Sequence, residues 1–314
     1  MQPVIAVHGG AGRWNITPNE EAQVRKALAD AVAAGLTALA RGNAVDAVVE
    51  AVAAMEDSGV FNAGIGSVYT ISGRVQMDAG VMDGRTGKAG AVASVEDVKN
   101  PVRLARYVLE NTEHVLIVSD GARELARAMG LLTPRSQFYD EKKNARFGEM
   151  KREASAGRWH YRKVLEAAKL LGIGDTVGAV ALDKDGNLAA ATSTGGVWLK
   201  LDGRVGDSPI PGAGFWAENG IGALSATGVG EAIILSMASF RAISLMRTGI
   251  DVERALKEVV DFVTERFGPD TIGILGVDKT GKVAAAFNTT AMARGWGSGR
   301  EVKRVALRRD DIWP

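Results

Sequence analysis

Cysteine is absent from the 314 residues of this sequence, so disulfide bonds, thiolate zinc sites and a cysteine nucleophile are all excluded. Histidine is scarce and scattered, with only His8, His114 and His160, which makes a histidine-based metal site a poor prospect. The motifs GxSxG, HExxH and GxxxxGK(S/T) do not occur either. Any chemistry must therefore use oxygen and nitrogen groups outside these motifs.

An excess of charge of one sign is also missing, since Lys and Arg total 38 against 37 for Asp and Glu. The sequence lacks the basic footprint of proteins that bind nucleic acid or anionic membranes, and it favours a small-molecule or peptide partner. No run of 18 apolar residues is present, and the segment from Met1 to Val7 lacks the basic and apolar regions of a secretory signal. We expect a globular cytoplasmic protein.

Strand and helix patterns alternate along the chain. A short apolar strand at 3–7 leads into the glycine loop His8–Gly12, and Thr17, Pro18 and Glu20 form the capping pattern of a helix that ends near residue 42. Further helices are predicted at 43–57, after Asn100-Pro101, after Asp120-Gly121, at 161–171, at 230–247 and at 252–267, with tightly turned strands at 60–87, a strand at 114–119 and a last strand pair near the C-terminus.

Residues 133–157 differ from their surroundings, because they are highly charged and show no apolar period. This composition predicts a flexible linker.

Two segments of the sequence resemble each other and begin with Asp175-Thr176 and Asp270-Thr271. Each has the pattern of a strand, a glycine-containing turn and a second strand. The simplest interpretation is that both are ordinary hairpins of one sheet.

Threonine and glycine are concentrated between Asp175 and Glu231, on segments with the pattern of turns. A threonine hydroxyl is a weak nucleophile that needs a base, and the free α-amino group of an N-terminal threonine can act as that base. Such an amine titrates near pH ~8, which suits a general base at neutral pH. Thr176 has a free amine only if the peptide bond to Asp175 is cut.

Blocks of this region resemble the plant-type L-asparaginase and isoaspartyl peptidase family: DTVGAVALD, TSTGG, GRVGDSPIPGAG and ATGVGE occur in the family's order. The N-terminal HGGAG and the segment FNAGIGSV…MDAGVMDG are similar to it too, so that the resemblance extends from Val4 to Thr290. It favours Thr176 over Thr271 as the nucleophile, since the partner blocks follow Thr176.

The resemblance implies an N-terminal-nucleophile hydrolase, with one domain over residues 1–314 folded as a four-layer αββα sandwich. Self-cleavage would give an α subunit of residues 1–175 and a β subunit of residues 176–314, which pair into an (αβ)₂ assembly. The implied reaction is hydrolysis of the side-chain amide of L-asparagine, or of the isopeptide bond of β-aspartyl dipeptides, without an organic cofactor.

Roles for single residues follow from the same resemblance. The catalytic group would be the nucleophile Thr176, Thr194 hydrogen-bonded to it, and the oxyanion pair Thr227 and Gly228. The substrate-binding group would be Arg204 for the α-carboxylate, Asp207 for the α-ammonium, and Asn62 beside the nucleophile. A sodium ion would be held by the backbone carbonyls of Met55, Glu56, Ser58, Phe61, Ala63 and Ile65.

Two alternatives stay open. One is cleavage of the GlcNAc–Asn bond, because Asp175 stands where many plant-type members have glycine, and aspartate occurs there in glycosylasparaginases and in some plant-type relatives. Val229 also replaces a residue that is polar in many relatives. The lack of cysteine and of a secretory signal disfavours this alternative. The other is a non-catalytic protein that binds nucleotides through its Gly-x-Gly loops, none of which is a complete dinucleotide fingerprint.

Overall fold

Two β-sheets stacked face to face form the centre of the structure, which is a computed structural model describing residues 1–154 and 176–314. Their strands are β1 (Val4–Gly12), β2 (Met77–Asp83), β3 (Lys88–Val95), β4 (Leu116–Val118), β5 (Val177–Leu182), β6 (Leu188–Thr194), β7 (Phe215–Glu218), β8 (Gly222–Gly228), β9 (Ile272–Asp278), β10 (Val283–Phe287), β11 (Ala291–Ser298) and β12 (Glu301–Arg308). The larger sheet has the order β12-β11-β1-β5-β6-β2-β3-β4, and the smaller has the order β10-β9-β8-β7.

Helices cover the outer faces of both sheets. They are α1 (Pro18–Leu39), α2 (Ala44–Ser58), α3 (Pro101–Asn111), α4 (Ser119–Ala128), α5 (Glu141–Glu153), α6 (Gly230–Ser236), α7 (Ala238–Arg247) and α8 (Val252–Phe267). The helices α1, α2 and α3 pack on the larger sheet, whereas α7 and α8 pack on the smaller one. The predicted four-layer αββα sandwich is thus confirmed.

The core lies in three apolar layers, because each sheet is buried on both faces. The run VGAVAL of β5 is buried at every position, which explains its continuous apolar pattern. Apolar side chains of both sheets, such as Val180, Leu188, Phe215 and Leu275, meet between them. No helix in the described part of the chain is long and apolar enough to cross a bilayer.

The first helix begins as predicted. Thr17 is its N-cap, and the side chains of Thr17 and Glu20 each bond the other residue's backbone N–H in a capping box. The corresponding pair Asn43 and Asp46 starts α2 in the same way. These caps satisfy backbone donors that have no partner inside the helix.

Three predictions of local structure differ from what is observed. The helix predicted at 230–247 is broken at Met237, whose φ of 47° is left-handed. The next helix, α7, therefore starts beside Gly212, and the Gly212 carbonyl accepts a hydrogen bond from Phe240 N at 2.8 Å. Residues 61–76 form a 3₁₀ turn and loops instead of strands, because they wrap around the end of α2. The two Asp-Thr segments are indeed hairpins, but they lie in different sheets.

The segment predicted to be a flexible linker is helical over much of its described part. Residues 135–138 form a 3₁₀ turn and Glu141–Glu153 form α5, with Phe138 and Met150 buried. Phe147 packs edge-on against Tyr69, with 5.6 Å between ring centroids. Residues 155–157, the helix predicted at 161–171 and Asp175 lie outside the described residues.

Candidate active site

Thr176 lies directly before β5, and β5 is the strand between β1 and β6 in the larger sheet. Its side chain is buried, and Oγ1 donates a hydrogen bond to Oγ1 of Thr194, the last residue of β6, at 3.1 Å. The Thr194 oxygen also accepts from the N–H of Gly196 at 3.0 Å. The nucleophile expected from the sequence is therefore held by a second threonine, which is itself fixed by the following turn.

His8 on β1 is the neighbour of this threonine that the sequence analysis did not use. It pairs with Gly178 across the ladder of β1 and β5 and is fully buried. Its Nε2 lies 2.7 Å from Oγ of Ser225 in the opposite sheet. Burial lowers the pKa of His8 to about 3, an effect that the nearby backbone of Thr176 partly offsets, so the imidazole is neutral at ordinary pH.

The expected oxyanion pair, Thr227 and Gly228, ends strand β8 of the smaller sheet. Thr227 pairs with Gly273, and a Cβ on Gly273 would lie 2.7 Å from Cβ of Ala11 on β1. Because β1 runs from His8 towards Ala11 alongside the start of β5, this contact brings the end of β8 to the same edge as the nucleophile.

Gly228 adopts a conformation that other residues avoid. Its φ is +138°, and a Cβ would overlap with the carbonyl oxygen of Thr271. The N–H of Val229 donates to that same carbonyl at 2.9 Å. The sequence uses glycine here because backbone of the two strands approaches so closely.

The expected carboxylate clamp, Arg204, is paired with Glu231 in the first turn of α6. Its Nε and Nη2 donate to the two carboxylate oxygens at 2.9 and 2.8 Å. Burial alone would lower the pKa of Arg204, but the pair with Glu231 raises it above the usual value. The Nε and Nη2 edge of the guanidinium thus donates to Glu231, and Nη1 takes no part in this pair.

Asp207 lies beside the same guanidinium. A Cβ on Gly230 would lie 2.9 Å from Nη2 of Arg204 and 3.1 Å from Oδ1 of Asp207, so the two charged groups flank one glycine. Asp207 is 3% exposed, and its Oδ2 has no hydrogen-bonding partner among the described residues. Burial raises the pKa of Asp207 to about 7, although Arg204 lowers it. A buried acceptor without a donor is costly, and a cationic group of a ligand would satisfy it.

Asn62 supports the turn after Thr194. Its Nδ2 donates to the carbonyl of Gly196 at 2.6 Å, its Oδ1 accepts from Val68 N at 3.0 Å, and its backbone carbonyl accepts from Gly195 N at 2.8 Å. Both polar ends of this side chain are occupied by backbone groups. Its position favours a role in holding the turn near the nucleophile.

Comparison with known proteins agrees with this geometry. The sequence profile of a family described as Asparaginase matches residues 1–307. The chain belongs to this asparaginase family. It is 60% identical to the "Plant-type L-asparaginase" of Pyrobaculum calidifontis over 299 residues, which cover 95% of this chain and 98% of the relative. It is 42% identical to the "Isoaspartyl peptidase" of Salmonella typhimurium, with 98% and 99% covered. It is also 42% identical to the "Isoaspartyl peptidase/L-asparaginase" of Danio rerio, with 96% and 94% covered.

A buried lysine that the sequence analysis did not single out lies near Arg204 in this asparaginase-family site. Lys200 is 3% exposed, and its ammonium donates to the carbonyl of Gln76 at 2.7 Å. Burial lowers its pKa to about 8, and the carboxylate of Asp78 partly offsets this. The side chain of Gln76 accepts from Gly203 N at 2.8 Å, so Gln76 connects Lys200 to the residue before Arg204.

The loop that the family resemblance associates with sodium runs from Met55 to Ile65. A Cβ on Gly64, whose φ is +54°, would lie 2.5 Å from the carbonyl oxygen of Glu56, and a Cβ on Gly66 would overlap with that of Phe61. Glycine at these two positions therefore allows the backbone of the loop to pack closely against its own carbonyl groups. Within the part of the chain that is described, no cluster of three or more acidic or histidine side chains could hold a metal.

Helix α5 reaches the end of this loop through Lys143. Its ammonium donates to the carbonyls of Ile65 at 2.8 Å and of Phe138 at 2.6 Å. Burial lowers the pKa of Lys143. The Ile65 carbonyl, one of the expected sodium ligands, therefore already accepts a hydrogen bond from an ammonium group.

Proposed function

We propose that this chain hydrolyses the side-chain amide of L-asparagine and the isopeptide bond of β-aspartyl dipeptides, with Thr176 as the N-terminal nucleophile. The observation that carries the proposal is the buried Thr176 hydroxyl, which is hydrogen-bonded to Thr194 at the edge where both sheets meet. The family membership and the names of the relatives support the reaction class.

Activation comes first. Oγ of Thr176 attacks the carbonyl carbon of Asp175, the acyl group passes from nitrogen to oxygen, and the nitrogen takes up the hydroxyl proton. Water then hydrolyses the ester, which leaves a carboxylate on Asp175 and a free α-amino group on Thr176. This amine is the base that the threonine hydroxyl lacks in the uncut chain.

Turnover uses the same hydroxyl. The α-amino group accepts the Oγ proton as Oγ attacks the substrate's side-chain carbonyl, and the negative charge develops beside the Thr227 hydroxyl and the Gly228 N–H. The amine then protonates the leaving nitrogen, which departs and leaves a β-aspartyl ester on Thr176. Water, activated by the α-amino group, hydrolyses this ester and releases L-aspartate.

The clamp explains why both substrate types fit. L-Asparagine and β-aspartyl dipeptides present the same free α-carboxylate and α-ammonium, for which Arg204 and Asp207 offer opposite charges. They differ only in the leaving group, ammonia or an amino acid, which lies on the far side of the scissile bond. Selection at the clamp therefore admits both.

The remaining expectations concern groups around the site. Sodium would be held by the backbone carbonyls of residues 55–65 and would fix the loop that carries Asn62, without taking part in a chemical step. We further propose that the cleaved chains pair into an (αβ)₂ assembly. A cytoplasmic location stays a prediction of the sequence.

The test is to measure ammonia release from L-asparagine and amino acid release from β-aspartyl-leucine by the purified wild-type chain and by Thr176→Ala. Wild-type activity on both substrates, lost in the variant, is the expected result. Activity on a GlcNAc–asparagine substrate alone would contradict the proposal in favour of the glycosylasparaginase alternative. Activity retained by Thr176→Ala would remove Thr176 from its role.

A further inference from the structure

One buried hydrogen bond joins the two sheets next to the proposed reaction centre. His8 belongs to β1 in the larger sheet and Ser225 to β8 in the smaller one, and both side chains are fully buried. Nε2 and Oγ are 2.7 Å apart, although the residues are 217 positions apart in sequence. Most of the other side chains between the sheets are apolar.

The sequence makes room for this pair with a glycine. A Cβ on Gly178 would overlap with both Oγ of Ser225 and Nε2 of His8. Gly178 is in strand β5, is paired with His8 and with Thr192 in a regular ladder, and has no positive φ. Glycine is therefore not needed for the backbone conformation here, and the space it leaves is occupied by the histidine and the serine.

Each member of the pair is connected to an expected reacting group through a position two residues away from that group: His8 through its strand partner Gly178, and Ser225 directly. Gly178 follows Thr176 by two positions on one strand, and Ser225 precedes Thr227 by two positions on the other. Thr176 lies before the first ladder pair of β5, so the regular sheet hydrogen bonds do not fix it. The nearest fixed points on the two sides are thus connected through His8 and Ser225.

The protonation state of the pair follows from its surroundings. The imidazole is neutral because burial lowers its pKa to about 3. With the proton on Nδ1, Nε2 accepts from the Ser225 hydroxyl, and Nδ1 itself is buried without a hydrogen-bonding partner among the described residues.

We infer that His8 and Ser225 form a positioning pair that sets the distance between the Thr176 nucleophile and the oxyanion donors of β8. This inference rests on the proposed function, because it assigns the pair to the same reaction. The pair touches neither substrate nor reacting atoms, and it acts by holding two strands in register across the layer between the sheets. Small errors in such spacing reduce the rate of the chemical step more than they reduce substrate binding.

The primary test is Ser225→Ala, which removes one hydroxyl and leaves the imidazole in place. Its matched control is Ser239→Ala, since Ser239 is also fully buried and makes one side-chain hydrogen bond, to the Ala213 carbonyl at 2.8 Å. We expect Ser225→Ala to lower kcat about tenfold or more with KM changed less than about threefold, and Ser239→Ala to leave both near wild type. Equal kcat values for the two variants would overturn the inference.

A double-variant cycle separates coupling from general destabilisation. The effects of His8→Ala and Ser225→Ala on kcat should be strongly non-additive, so that the double variant is about as slow as the slower single variant. Additive effects would mean that the two side chains act independently, against the inference. If His8→Ala does not fold, His8→Leu takes its place in the cycle, because leucine fills part of the space and has no group that can bond to the serine.

The pH profile provides a readout that a direct catalytic role would move. Because the positioning pair stays neutral, Ser225→Ala should lower kcat by the same factor from pH 6 to pH 9. A changed ionisation limb in this variant would instead make His8 an acid or base in the reaction. An inactive wild type would reject the proposed function, whereas an active wild type with an unaffected Ser225→Ala would reject only this inference.

Discussion

Asp207→Asn is the substitution for which the structure predicts opposite effects on activity and on stability. The side chain is 3% exposed with one oxygen unpaired, and its pKa is raised from 3.8 to about 7 by burial. The charged form of this buried carboxylate therefore lowers the free energy of unfolding. We expect the charge to be needed because it binds the substrate ammonium. Asparagine has nearly the same shape and removes only the charge.

The sign of the stability effect depends on pH. Below pH 3.8 the carboxyl is protonated in folded and unfolded chains alike, so it contributes nothing to the difference between them. Between pH 3.8 and 7 the unfolded chain ionises first, and above pH 7 the cost reaches its full size of about 4 kcal/mol. Asp207→Asn should therefore raise Tm by several degrees at pH 8 and hardly change it at pH 4.

Activity should move the other way. Loss of one partner of a buried charge pair costs about 3–5 kcal/mol, so kcat/KM for L-asparagine at pH 8 should fall by roughly 100-fold or more. In the wild type, kcat/KM should fall as pH decreases below about 7, because the neutral carboxyl binds the ammonium poorly. Thermal unfolding at both pH values and ammonia release measure these effects. A variant that is less stable than wild type at pH 8, or that retains its kcat/KM, would refute the reasoning.

Two further predictions concern the rest of the site. Gly228→Ala should reduce kcat by about 100-fold or more, since the added Cβ pushes against the Thr271 carbonyl and displaces an expected oxyanion donor. The control Gly220→Ala, also at positive φ but with open space around it, should lose only stability. Equal steady-state kinetics in the two variants would contradict this prediction. Glu231→Gln should raise KM about tenfold while kcat stays within about threefold, because Arg204 loses the carboxylate that orients it, and an unchanged KM would show that the pair does not position the clamp.

Much of the fold is evident in the sequence where one local signal dominates. The capping box at Thr17 and Glu20 and the apolar runs of β5 and β6 predict their elements directly. The break at Met237 has no such signal, because it depends on the turn around Gly212 packing into the middle of a helical pattern. A stretch without apolar period, 141–153, is helical because Met150 and Phe147 pack on the body of the protein.

The candidate site was predictable only as a set of blocks. Their order indicated Thr176, Arg204 and Asp207, but which side chains bond to these residues depends on the way the sheets stack. The pairing of Arg204 with Glu231 joins a loop to the first turn of α6, and the pair of His8 and Ser225 joins two sheets. His8 and Glu231 lie within the blocks HGGAG and ATGVGE, but a block does not show which side chain of a distant segment its residues contact.

The most direct test of the central claim is mass spectrometry of the wild-type chain at successive times after purification, with asparaginase activity measured on the same samples. We predict that the intact 33.0 kDa chain is converted into fragments that end at Asp175 and begin at Thr176, and that activity grows in proportion to them. Thr176→Ala should remain intact and inactive throughout. Full activity in a wild-type chain that stays intact, or cleavage at any other bond with the same gain in activity, would contradict the account.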